Sequence, residues 1–431
     1  MQRRDRHPAR ALLLLLFVIA ACSRAAGVPR EATTTSVVLP SVTAPATSAS
    51  STTFDASTTS AAPTTVTTPT TTAAPPTTVA AGEGWYLAWA PVDLPAGFVD
   101  GAIALPGVAA LSPVRVGNGF LVETRDAAGG IVDEAPETYV IPVEVHVLDD
   151  PVAHARFVPP DIAALVRGLG PDEVLLGETS ARIRRLGTGA TLTFRSRVTV
   201  TVAGVVADEY VGDAEVVTTR DDPEMLAAVR ERYVVLRHPG PGPELERALA
   251  GVTDEPVQVR AWGETLVLRH GDAVRSQAAM KERFGEFAVR TTGDGFVQDP
   301  AWHDANIVRV DLALLGTFEC HRDFAEVLEG VMSRLVVEGH GDVIDLGAFA
   351  GCYNARFIAG RTDLSHHAWG AAADINIYNA LDGAGSPVDP ALLEAMYEAG
   401  LTSGHAWILP DPGHFEWFDD GPLEPGTPAR P

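Results

Sequence analysis

The residues best equipped for chemistry lie toward the C-terminal end, in Ser365-His366-His367-Ala368-Trp369-Gly370-Ala371-Ala372-Ala373-Asp374 and, further on, Asp411-Pro412-Gly413-His414. Histidine and carboxylate are ligand types that suit a catalytic zinc, which takes three protein ligands and keeps a fourth position for water. His367 and Asp374 stand seven positions apart, too far for one helical turn, so a loop running into a strand has to aim both at one point. Gly370 and the small Ala371, Ala372 and Ala373 allow the backbone to come close there. His366 adjoins His367, and either imidazole could face the metal. The third ligand has to come from a distance. His414 fits, because Asp411 three residues earlier supplies a carboxylate able to take a proton from an activated water and pass it to a leaving amine. Arg356, on the segment before the ligands, offers a fixed positive charge to an oxyanion or a substrate carboxylate. Arg361 is a weaker candidate of the same kind.

Together, Ser365-x-His367-x-x-Gly370-x-Ala372-x-Asp374 and Asp411-x-x-His414-Phe415-Glu416 resemble the motifs of the M15 metallopeptidases. This is the D-alanyl-D-alanine carboxypeptidase family, which includes vancomycin-resistance dipeptidases and phage endolysins. The resemblance covers the C-terminal part of the chain and implies the α+β fold shared with the hedgehog signalling domain. It implies zinc held by His367, Asp374 and His414, with family spacing favouring His367 over His366. Asp411 would be the catalytic acid/base, and Arg356 the stabiliser of substrate or transition state. The implied substrate is the stem peptide of bacterial peptidoglycan. Many members carry glutamate where this chain has Asp411, and aspartate there is similar to the L-alanyl-D-glutamate endopeptidase branch. The D-Ala-D-Ala carboxypeptidase reaction is the other bond specificity. A non-catalytic wall-binding or scaffold lipoprotein that retains the fold is the competing reading, and the complete ligand set argues against it. Trp369, Phe415 and Trp417 read as core or rim aromatics, His405 and Trp407 as the cleft wall, and Glu416 as either a partner of a ligand or a solvated group.

The elements that must position these residues follow from periodicity. Phe324, Val327, Leu328, Val331, Met332 and Leu335 recur at helical spacing, so Asp323 to Glu338 is expected to form an amphipathic helix stopped by Gly339. Strands are expected at Val343 to Leu346, Ala373 to Tyr378 and His414 to Phe418, with a helix at Pro390 to Ala399. Alternation in the second of these strands would place Asp374 and Asn376 on one face. Such mixed order predicts an α+β zinc domain over residues 281–425. Residues 82–280 read as a strand-rich mixed domain. Alternating runs at Tyr139 to Val147 and Val198 to Val206 are its clearest strands, and helices are expected at Pro160 to Arg167 and Pro223 to Tyr233. His146 and His154 are isolated there and read as surface or core residues.

The N-terminal region addresses the compartment. Arg3, Arg4, Arg6 and Arg10 precede the apolar run Ala11 to Ile19, and Ala20-Ala21-Cys22 follows. This is the pattern of a signal peptide over residues 1–21. Its end resembles the bacterial lipobox, which implies lipidation of Cys22 and a membrane partner reached through that lipid, outside the cytoplasm. Residues 22–81, rich in Thr, Ser, Ala and Pro, cannot build a core and read as a disordered linker. Cys320 and Cys352 are the other cysteines, and in an oxidising compartment they are expected to pair. With 32 basic against 56 acidic residues and a net charge of -24, the surface does not suit phosphate neutralisation, which argues against nucleic acid as a partner. Lys281 is the only lysine.

Overall fold

The computed structural model describes residues 84–90, 93–263, 275–293, 295–358, 361–377, 388–405, 407 and 409–423. The expected signal peptide, Cys22, all of the linker and the last residues of the 281–425 segment lie outside the described residues. Ten strands among the described residues form one sheet. They are β1 (Trp85–Trp89), β2 (Ala110–Arg125), β3 (Ile131–Glu134), β4 (Ile141–Val147), β5 (Glu173–Gly177), β6 (Thr191–Phe194), β7 (Thr199–Val206), β8 (Val216–Thr218), β9 (Leu226–Arg237) and β10 (Gln258–Ala261). Their order is β10-β1-β9-β2-β4-β8-β5-β7-β6, with β3 on β2 and a further pairing of β6 back onto β2. The path from β2 to β6 therefore closes into a ring. Leu121, Val143, Val145, Val174, Leu176, Leu192, Phe194, Val200 and Val202 form a buried cluster from these strands, a burial that suits their β-branched and aromatic content.

The helix Pro160–Gly168 forms where its periodicity predicts it. The expected helix over Pro223 to Tyr233 does not form: Leu226–Arg237 is strand β9, paired with both β1 and β2. Glu, Leu, Ala and Arg gave this segment local helical preference. Long pairing on two edges overrides it, and Ala228, at a φ of 54°, marks the irregularity where register shifts against β2. His146 and His154 are both buried. His154 Nδ1 lies 3.2 Å from Ser112 Oγ, and His146 bridges Tyr233 Oη and Glu144, so each is a core residue with partners.

The C-terminal part continues through the helix Gln277–Phe284, the hairpin β11 (Val289–Thr292) and β12 (Gly295–Gln298), and the hairpin β13 (Ile307–Leu312) and β14 (Gly316–His321). The helix Arg322–Glu338 is capped by His321, whose side chain accepts from Asp323 N, and ends on Gly339 in the left-handed region. Phe324, Leu328, Val331, Met332 and Leu335 are buried along one face of it. Strands β15 (Ala372–Asp374), β16 (Leu401–Gly404) and β17 (Asp411–Trp417) form a three-stranded antiparallel sheet in the order β15-β17-β16, and the helix Pro390–Glu398 precedes β16. Mixed helices and strands behind a strand-rich N-terminal part define the architecture.

Two expected strands differ. Val343 to Leu346 forms no strand: Ile344 and Asp345 are extended but stand between short 3-10 turns at Gly341–Val343 and Leu346–Ala348, and the Asp345 carboxylate accepts from Gly347 N. The strand expected over Ala373 to Tyr378 stops at Asp374, because Asn376 adopts a φ of 55°. Asparagine tolerates that conformation better than most residues. Its amide accepts from Asp345 N and donates to Val343 O, each at 2.8 Å. Asn376 therefore ties two loops together and does not share a strand face with Asp374.

Phe120 of the large sheet and Val140, just before β4, belong to the same buried cluster as Met280, Phe324 and Trp369. The helix Gln277–Phe284 spans the 280/281 boundary drawn from the sequence. Its Lys281, 2% exposed, donates to Pro142 O and pairs with Glu215 at 2.7 Å. The strand-rich and C-terminal parts thus share both apolar and ionic core.

Candidate metal centre

Gly370 sets the local path. It has a φ of 66° and ends the 3-10 turn His366–Trp369. A Cβ at this position would meet His321 N at 2.5 Å, so only glycine lets the turn lie against the start of the long helix. Trp369 anchors the turn by donating from Nε1 to Gly285 O at 3.0 Å. Cys352, joined to Cys320 by a disulfide with a Cα–Cα distance of 5.2 Å, brings its carbonyl beneath His367. Sheet register supplies the rest: Asp374 pairs directly with His414 across β15 and β17, and Ala373 and Ala372 pair with Phe415 and Glu416.

Three donor atoms converge as a result. His367 Nε2 lies 3.2 Å from Asp374 Oδ1 and 3.3 Å from His414 Nδ1, and the last two are 3.0 Å apart. A tetrahedral ion with bonds of about 2.0–2.1 Å separates its ligands by about 3.3 Å, by the geometry of the tetrahedron. The triangle has that size. Hydrogen bonding also fixes the tautomers. Cys352 O can only accept, so His367 Nδ1 donates to it at 2.7 Å and Nε2 presents a lone pair. His414 Nε2 donates to Glu416 at 2.9 Å, which turns Nδ1 toward the same point. Such outer partners orient metal-binding imidazoles and raise their basicity. Among the described residues, His367, Asp374 and His414 are the group able to hold a metal ion.

The electrostatics make the same demand. Burial would raise the Asp374 carboxyl, but His367 and His414 hold it well below the usual range. Burial would lower His414, yet hydrogen bonds to Asp374 and Glu416 push it up to about 10. Two carboxylates face the two nitrogens of one imidazole, so the pocket favours positive charge between Asp374 and His414. Glu416, 2% exposed, is itself held below the carboxylate range by His366 and His414 despite its burial.

The other candidates fall as follows. His366 turns away from the triangle and pairs with Glu416 at 2.7 Å. Asp411 begins β17, opposite Gly404. Its carboxyl is raised by burial, drawn back by His414, His367 and Arg356, and raised further by Asp374, so it stands within electrostatic reach of the whole centre. Arg356 is half-buried on the preceding loop. Arg361 lies 3.9 Å from Asp363. The Trp407 ring is 5.2 Å from that of His414 and walls the centre, while Phe415 is buried in the core. Glu416 is the functional residue that sequence reading left undecided. The signal for it was alternation, since residues 414 and 416 of one strand share a face.

Residues 359–417 match the family model described as D-alanyl-D-alanine carboxypeptidase. The match contains His367, Asp374, Asp411 and His414, and it supports an M15-family peptidase domain in this part of the chain; Arg356 lies just outside it. Comparison with curated proteins finds no match. Among solved structures, the chain is similar to the periplasmic region of MacB from Actinobacillus actinomycetemcomitans. The identity is 11%, covering 42% of this chain and 89% of that one, with a TM-score of 0.27, and a likeness at that level carries no argument.

Proposed function

We propose that the chain is a zinc-dependent peptidase that hydrolyses peptide bonds in the stem peptides of bacterial peptidoglycan, at the L-Ala-D-Glu or the D-Ala-D-Ala bond. The observation that carries this reading is the triangle of His367 Nε2, Asp374 Oδ1 and His414 Nδ1, with edges of 3.0 to 3.3 Å, inside the span matching a peptidase family. Zinc held there would polarise a carbonyl and bring the pKa of a water down to near neutral. Asp411 then accepts the proton of the attacking water and returns it to the leaving amine nitrogen; its burial-raised pKa brings it closer to working pH than an exposed aspartate. Arg356 offers N–H donors to the developing oxyanion or to a substrate carboxylate. The Nε2 proton of His414 stays with Glu416 and the Nδ1 proton of His367 with Cys352 O, so neither ring rotates during turnover.

Export by the residues 1–21 signal, lipidation at Cys22 and tethering by the linker to 81 belong to the same proposal, because they bring such a site to its wall substrate. The experiment is digestion of purified muropeptides by the zinc-loaded protein, read by mass spectrometry. Loss of a terminal D-Ala identifies the carboxypeptidase, and a cut after L-Ala the endopeptidase. Intact muropeptides that nevertheless bind would replace the hydrolase with a wall-binding lipoprotein.

A further inference from the structure

Although the strand-rich part holds no metal cluster among the described residues, it grips the loop that carries Arg356. That loop folds back on itself. Asn354 N donates to His367 O at 2.9 Å, Ser365 N to Arg356 O at 3.2 Å and Ile358 N to Asp363 O at 2.9 Å, while Phe357 pairs with Leu364. Arg356 and His367 therefore sit on facing arms of one hairpin-like turn, and whatever fixes Asp363 fixes both arms.

What fixes Asp363 comes from the large sheet. Asn118, on β2 and 1% exposed, donates through Nδ2 to Asp363 Oδ1 at 2.9 Å and to Thr362 Oγ1 at 3.0 Å. Arg230, on β9, reaches Asp363 Oδ2 at 3.3 Å while pairing with Asp93 at 3.4 Å. Asp363 is 7% exposed. Hydrogen bonds to a buried carboxylate are stronger and more directional than neutral ones. A site carried on a loop is less exact than one carried on a strand unless a supporting shell holds the loop.

We infer that the strand-rich part is a positioning element of the hydrolytic site, in which Asn118 and Arg230 hold Asp363 and thereby set Arg356 against the metal centre. The inference rests on the hydrolase reading for its kinetic consequence, but its structural consequence stands apart. A displacement of 1 Å at a positioning group can cost about a hundredfold in rate.

The test uses the full chain, zinc-loaded, with Asn118→Ala, Arg230→Ala and Arg230→Lys. Asp363 keeps Asn118 and Arg361 as partners when Arg230 is removed, and keeps Arg230 when Asn118 is removed, so both alanine variants should fold. Hydrogen exchange at the amides of Asn354, Ile358 and Ser365 should accelerate in the alanine variants, with zinc content unchanged. Their kcat/KM on muropeptide should fall about tenfold or more, and Arg230→Lys should recover most of the loss. In an Arg356→Lys background, Asn118→Ala should cost little more, because both changes disturb one contact. Unchanged exchange at those amides, or losses at residues 118 and 356 that multiply independently, would overturn the inference. Should the unaltered protein cleave nothing, the hydrolase reading fails on its own, and the exchange measurement alone decides the clamp.

Discussion

Two buried charge clusters lie in this molecule, and they are built to opposite specifications. In the first, the Glu215 carboxylate accepts from Arg184 and Lys281 on one oxygen and from Gln277 and the Glu144 amide on the other. Glu286 pairs with the same two cations. Each negative charge there meets a permanent positive one supplied by the protein. In the second, Asp374, Glu416 and Asp411 surround histidines, with Arg356 acting only from a distance. The first cluster is complete as folded and joins the strand-rich part to the C-terminal part. The second is built from titratable imidazoles rather than permanent cations, and three of its donor atoms converge closely enough to hold a metal ion. A buried cluster closed by permanent charges is architecture; one whose donors converge on a point a metal ion could occupy is a candidate site.

The largest expected effect sharpens that distinction at Asp411. Asp411→Asn should keep one zinc per chain but lower turnover by about 10² to 10⁴-fold, the usual contribution of a general acid-base group. His414→Ala should lose the metal as well. Turnover by Asp411→Asn at the unaltered rate would move the proton transfer to another group. Glu215→Ala should do the reverse. Breaking a buried ion pair leaves Lys281 and Arg184 uncompensated and costs about 3–5 kcal/mol of stability, while the folded fraction should still bind zinc. Denaturant titration and metal analysis on the same samples separate the outcomes. A Glu215→Ala protein of wild-type stability would break the comparison.

These clusters were unequally legible in the sequence. The candidate metal centre was readable because its chemistry is compressed into short motifs: Gly370 permits the turn that carries His367, and strand register brings Asp374 and His414 together beside it. Its outer partner Glu416 was left undecided, although the strand expected over His414 to Phe418 already put residues 414 and 416 on one face. The Glu215 cluster joins residues from distant elements whose types are common, and nothing local marks Arg184 or Lys281 as buried. The clamp on Asp363 was less visible still, since Asn118 lies 245 positions away. The helix expected over Pro223 to Tyr233 failed for a related reason: local preference pointed one way, and pairing with β1 and β2 decided the other. Sheet partners remote in sequence override propensity.

A smaller effect is expected at Glu416. In Glu416→Gln the side chain can still accept from His414 Nε2, but the negative charge that makes the imidazole a better ligand is gone. Zinc affinity should fall about 10 to 100-fold, the usual cost of removing an outer partner. Competition with a chromophoric chelator measures this directly. An unchanged affinity would mean that Glu416 serves packing and that charge around His414 does not tune the centre.

Acid provides the mildest way to compare the clusters, because each responds to protons through different physics. Burial would raise Glu215, but Lys281 and Arg184 overcome it and hold the carboxyl down to about 2, against an ordinary value of 4.5. A depressed folded-state pKa means the unfolded chain takes up the proton first. This contribution to stability is therefore fully present above about 4.5 and is lost as pH falls toward about 2. A metal held at the candidate centre should leave earlier, because protons compete with it for its imidazole and carboxylate ligands. Zinc content and folded fraction followed over one acid titration should thus separate, with metal leaving first and the fold persisting below it. In Lys281→Met the second transition should move to higher pH and toward the first, because Glu215 then loses one of the two charges that depress it. If zinc loss and unfolding coincided in the unaltered protein, the metal centre would itself be holding the fold together, and the division between architecture and site would not stand.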